Sequence, residues 1–106
     1  MRQEHIEIPH EKIADFCQRW KIREFALFGS ILRDDWSSDS DVDVLVTFAD
    51  DARWGLFDFV HMEQELQRIF GHAVDLVSRR GIEGSRNYLR RTSILSSAEV
   101  VHIAGS

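Results

Sequence analysis

Long apolar runs are missing from this chain of 106 residues, and none approaches the roughly 20 residues that a membrane-spanning helix requires. The opening MRQEHIEIPH has no apolar core of the kind a secretory leader carries. Cysteine is almost absent as well. Cys17 stands alone, can close no internal disulfide, and points to a reducing, cytoplasmic setting. With one Pro, six Gly and 43% hydrophobic residues, collagen-like, low-complexity and disordered classes are excluded. Positive charge is in deficit: 13 Lys and Arg face 18 Asp and Glu, a formal charge of −5. Binding to duplex nucleic acid, which rests on an excess of basic residues, is therefore not expected. Familiar nucleotide loops are missing too, since there is neither a Walker A lysine motif nor a G-x-G-x-x-G. The acidic stretch from Asp39 has Val44 and Asp50 where a calcium-binding hand needs Gly and Glu, which excludes that motif.

What remains is material for one packed domain, 1–106. Seven Phe and three Trp supply bulk, and a chain of this size buries about two-thirds of its unfolded surface. Apolar residues at helical spacing (Ile13, Phe16, Cys17, Trp20) predict a helix over 9–20, with Pro9 at its first position. Phe25 to Phe28 is a short apolar run cut off by Gly29-Ser30, a buried strand running into a turn. Residues 30–40 are polar and turn-rich, and read as one helical turn followed by a loop. Alternation over 41–48 predicts a second strand. Leu56, Phe59, Met62, Leu66 and Ile69 predict a long helix over 54–70, stopped by Gly71. A third strand follows over 72–78, a loop over 81–84, a helix capped by Ser85 through 97, and a last strand over 99–103. The order implies an α/β or α+β domain, a small mixed sheet with helices packed on it.

Chemistry concentrates at Gly29-Ser30, ten residues, then Asp41-Val42-Asp43. Residues two apart on a strand share a face about 6.6 Å apart, so the two carboxylates point the same way and repel unless a cation lies between them. Divalent metal ions are the usual answer where phosphoryl groups are transferred, and Mg²⁺ suits a sparse carboxylate pair completed by substrate phosphate oxygens. A strand ending at Gly and opening a helical turn offers backbone N–H groups to an anion, and the Ser30 hydroxyl adds a donor. Asp75, in the alternating stretch HAVDLVS, would join the pair if its strand were a neighbour, completing a metal site or accepting a proton. Arg79, Arg80, Arg86, Arg90 and Arg91 crowd five guanidiniums against one carboxylate, Glu83, and read either as a solvated face or as an edge for an anion or a partner. The five histidines show no metal-ligand spacing, and Cys17, Tyr88 and Trp36 read as packing residues.

LFGS followed by ten residues and DVDVLVTF resembles the signature of DNA polymerase β-type nucleotidyltransferases. In length and layout the chain is similar to the minimal nucleotidyltransferases (MNT), the antitoxin half of HEPN/MNT toxin–antitoxin pairs. The resemblance implies a polymerase β-like nucleotidyltransferase fold over nearly the whole chain. Gly29 and Ser30 would hold the triphosphate, Arg33 would stay with the nucleotide, and Asp41, Asp43 and Asp75 would bind Mg²⁺, Asp75 doubling as base. Where family members carry a small residue, Arg and Gly, this chain has Leu32, Arg33 and Asp34. The implied activity is transfer of AMP from ATP to a tyrosine hydroxyl of a HEPN toxin partner, silencing it. Two alternatives remain at this stage: a binding antitoxin that acts sterically, and a transferase for RNA ends or a small hydroxylated molecule.

Overall fold

The computed structural model describes residues 8–29 and 41–104. Among the described residues eight elements follow one another: α1 (His10–Arg19), β1 (Ile22–Phe28), β2 (Val42–Phe48), α2 (Leu56–Phe70), β3 (Val74–Ser78), α3 (Arg79–Glu83), α4 (Tyr88–Ser97) and β4 (Glu99–Ile103). The strands form one mixed sheet in the order β3-β2-β1-β4. β1 is antiparallel to both β2 and β4, and β2 is parallel to β3. A parallel pair needs a crossover, and α2 supplies it.

Both faces of the central strands are covered, which is why β1 and β2 contain unbroken buried runs instead of clean alternation. On one face Phe25, Leu27, Val42, Val44 and Val46 pack with Ile13, Phe16 and Cys17 of α1 and with Met62 and Leu66 of α2. On the other, Ala26, Phe28 and Leu45 meet Ile82 of α3 and Ile94 of α4. The helix α2 ends where Gly71 adopts φ +74 and donates its N–H to Gln67 O at 2.8 Å, a left-handed exit open to glycine without strain.

Several boundaries differ from the sequence expectation. β1 begins at Ile22, three residues early, because Ile22 is buried and pairs with Phe48. Pro9 precedes the first helical residue instead of occupying it, and Asp41 lies one residue before β2. Leu56 opens α2 but is 79% exposed, so it belongs to the surface and not to the buried stripe. The stretch 81–84, expected as a loop, is mostly helix α3. The Ser78 hydroxyl caps it by accepting from Gly81 N at 3.0 Å, and burial of Ile82 outweighs the poor helix propensity of glycine. Asn87, not Ser85, caps the next helix, its Oδ1 accepting from Arg90 N at 3.0 Å.

Candidate active site

The end of β1 and the starts of β2 and β3 meet at one end of the sheet. Phe28 pairs with Asp43 across the antiparallel ladder, so the next residue, Gly29, stands against the Asp43 side chain. Gly29 has φ +75, a left-handed conformation that L side chains adopt only with strain. Space forbids a side chain as well: a Cβ there would overlap Asp43 Oδ2 and lie 3.1 Å from Cγ. Two motifs separated by more than ten residues in sequence thus form a single contact, and the glycine is required on both counts.

Asp75 joins them from the opposite flank. In the parallel β2–β3 ladder Asp43 and Asp75 are register partners, with Val42↔Val74 before them and Val44↔Leu76 after. Val42 and Val44 face the α1–α2 core while Leu45 faces the α3–α4 core. By alternation Asp43 shares the Leu45 side of the sheet, and Asp75 shares the side of Val77. Adjacent strands lie about 4.8 Å apart, so two carboxylates stand side by side, both half-buried. Asp41 is exposed, just ahead of the strand. Among the described residues no group of three His, Cys, Asp or Glu side chains is assembled closely enough to hold a metal ion, so the three aspartates are not brought together as a closed cage. Ser30 and Arg33, expected to contact nucleotide, lie outside the described residues, as does the helical turn expected over 30–40.

The structure divides the arginine cluster. Arg79 donates from Nε to Thr47 Oγ1 at 3.1 Å and lies 3.8 Å from Glu83. Arg91 sits 5.3 Å over the Tyr88 ring and donates to the carbonyls of Glu83 and Ser85, which ties α4 back to the preceding turn. Arg86 and Arg90 are exposed. Sequence reasoning missed two polar side chains with defined tasks. Thr47 could have been found by following the Asp43, Leu45, Thr47 alternation one step further. Glu63, whose carboxylate accepts from Leu76 N at 3.2 Å, covers the outer edge of β3, and no local pattern announces it. The thiol of Cys17 is pushed up to about 12 by burial, which keeps it inert and agrees with a packing role.

A mixed four-stranded sheet that sets a left-handed glycine against paired carboxylates has the makings of a phosphoryl-handling domain. A family model described as "Nucleotidyltransferase domain" matches residues 10–101, and the chain belongs to that family. It is 35% identical over 80 residues to the protein adenylyltransferase MntA of Thermococcus cleftensis, covering 76% of this chain and 77% of that protein. Among solved structures, a toxin–antitoxin crystal structure with AMP-PNP superposes with a TM-score of 0.70 at 21% identity, over 92% of this chain and 76% of the other. A tri-AMPylated HEPN toxin of Shewanella oneidensis in complex with its MNT antitoxin gives a TM-score of 0.59 at 22% identity, over 86% and 66% of the two chains. The expected small mixed sheet with helices packed on it is the observed fold, and it matches a solved minimal nucleotidyltransferase structure at 30% identity with a TM-score of 0.64. No helix among the described residues is long and apolar enough to cross a membrane.

Proposed function

We propose that this chain is the adenylyltransferase antitoxin of a HEPN toxin, moving AMP from ATP onto a tyrosine hydroxyl of that partner. The observation that carries this reading is the packing of Gly29 directly on Asp43, with Asp75 beside it in register. Gly29 and the Asp43–Asp75 carboxylate pair at one end of the sheet support a site where phosphate oxygens and a cation meet. The donor set is carboxylate oxygen only, hard and sparse, which fits Mg²⁺ and not a softer metal. Asp41, Asp43 and Asp75 would hold the ion, and when bound it supplies the positive charge that offsets the triphosphate. Gly29 keeps the backbone close to the phosphates, with Ser30 and Arg33 as further donors. Asp75 accepts the proton of the acceptor hydroxyl as its oxygen bonds to the α-phosphorus. The bond from that phosphorus to the β-phosphate bridge then breaks, and pyrophosphate leaves with the electron pair.

The test is intact-mass analysis of the partner after incubation with ATP and Mg²⁺. The wild-type chain is expected to add AMP in whole steps. Asp43→Asn and Asp75→Asn are expected to add none while remaining folded. Undiminished transfer by both variants would move the chemistry elsewhere.

A further inference from the structure

Gly29, Asp41, Asp43 and Asp75 stand at one end of the sheet. At the other, where β2 and β3 finish and β1 begins, the described residues line an open cavity of about 340 Å³. That volume is at the lower end of the range, about 300–1,000 Å³, that holds small ligands. The step from Asp43 to Thr47 along β2 is about 13 Å, so this cavity is separate from the aspartate pair.

Three arginines line it, Arg23, Arg79 and Arg80. Arg79 is the best fixed: its side chain is only 32% exposed and its Nε is held by the Thr47 hydroxyl at 3.1 Å. Its terminal nitrogens have no hydrogen-bonded acceptor among the described residues, since Glu83 at 3.8 Å is too distant for one. Arg23 is 3.9 Å from a fully exposed Asp50, a contact worth little in water. The apolar side is equally well set. Phe48 packs edge-on against Phe59 at 5.6 Å, and Trp54 packs against Trp20 at 5.1 Å while its Nε1 donates to Trp20 O at 2.9 Å. A chain of net charge −5 therefore gathers arginine donors not hydrogen-bonded to any carboxylate beside two immobilised aromatic walls. Guanidinium forks match the oxygens of a phosphate, and aromatic walls match a flat apolar body.

We propose that this cavity is a second ligand site, binding a small phosphate monoester with a flat body, of nucleoside-monophosphate size. The phosphate lies on Arg79 with help from Arg23 and Arg80, and the flat body lies against Phe48 and Trp54. It does not depend on the adenylyl-transfer reading.

The test is titration of the ¹⁵N-labelled full chain with AMP in the presence of a chelator, followed by amide shifts. Saturable shifts are expected at 46–50 and 78–80, with adenosine and inorganic phosphate each binding more weakly than AMP. Arg79→Gln is expected to weaken AMP by at least about tenfold, because a charged hydrogen-bond partner is lost, and Arg79→Lys by less. Should Arg79→Gln fail to give a folded spectrum, Arg80→Gln and Arg23→Gln carry the test, each expected to weaken AMP. Shifts confined to Gly29, Asp43 and Asp75, no saturable shifts, or unchanged affinity in the folded arginine variants would overturn the proposal.

Discussion

At the scale of the residue, Gly29 and Asp43 make a prediction that needs no substrate. Gly29→Ala places a methyl group in a left-handed backbone, at a cost of about 1–2 kcal/mol, and against the Asp43 carboxylate. A total loss of about 2–3 kcal/mol is expected in urea unfolding, inside the upper range for single substitutions. Asp43→Ala removes the obstructing group, so the double variant is expected to lose less than the two singles summed. Strict additivity would mean that the contact does not form in solution. Cys17 gives a second prediction at this scale. Its thiol is raised from 9.0 to about 12 by burial, so ionisation is disfavoured in the folded state. The associated stability is fully present below the unfolded value near 9 and is lost as pH rises toward the folded value. Unfolding midpoints of the wild type are therefore expected to fall between pH 9 and 12 more steeply than those of Cys17→Ala, measured side by side. Equal slopes would show a thiol reachable by water. The candidate site was partly legible at this scale: alternation placed Asp43 and Asp75 on matching faces, but not the overlap of Gly29 with Asp43. That overlap depends on the strand register between β1 and β2, which no local spacing encodes.

At the scale of the element, what holds α1 to α2 is polar as well as apolar. The Arg19 guanidinium donates to both Glu65 carboxylate oxygens and to Asp15 at 2.9 Å, and Trp20 Nε1 donates to Glu65 Oε1 at 3.1 Å. Chiefly through the Arg19 hydrogen bonds, Glu65 is held below the ordinary carboxylate range. A lowered folded pKa contributes stability that is present above the ordinary value of 4.5 and lost as pH falls through the folded one. Arg19 is half exposed, so solvent screening limits the effect. Glu65→Gln is expected to cost about 0.5–1 kcal/mol at neutral pH. That difference should shrink in high salt and close at acid pH, as read by thermal unfolding of the two chains. A gap that persists unchanged at acid pH would mean the residue acts through packing alone. The elements themselves were readable where periodicity was strong, as in α1, α2 and the strands. Failures came where tertiary contact overrode local preference. Two glycines hid α3 until Ser78 capped it and Ile82 found the α3–α4 core, and Leu56 matched the helical period without having anything to pack on.

At the scale of the whole molecule, the proposed acceptor protein needs a surface on this domain to meet. Helix α4 offers the surface with the right character, since Tyr88 and Leu89 are 63% and 78% exposed beside an exposed Arg90. Aromatic, aliphatic and arginine side chains together are the composition of binding hot spots. Arg91 is tied to the turn before α4 and to Tyr88, so reversing it would disturb the fold; Arg90→Glu is the cleaner change. Arg90→Glu is expected to weaken co-purification with the proposed HEPN partner by about tenfold or more, the loss typical of a hot-spot arginine, without lowering the unfolding midpoint. Set against it, Asp75→Asn separates catalysis from contact. The amide keeps the size of the carboxyl and leaves α4 alone, but it lacks the negative charge and the basic oxygen that the proposed role of Asp75 requires. Asp75→Asn is therefore expected to bind the partner as the wild type does, add no AMP to it, and fail to protect cells from it. Intact mass, co-purification and growth, measured on the same variant, distinguish the outcomes. If Asp75→Asn binds, transfers nothing and still protects fully, neutralisation is steric and the proposed nucleotide transfer is not what protects the cell.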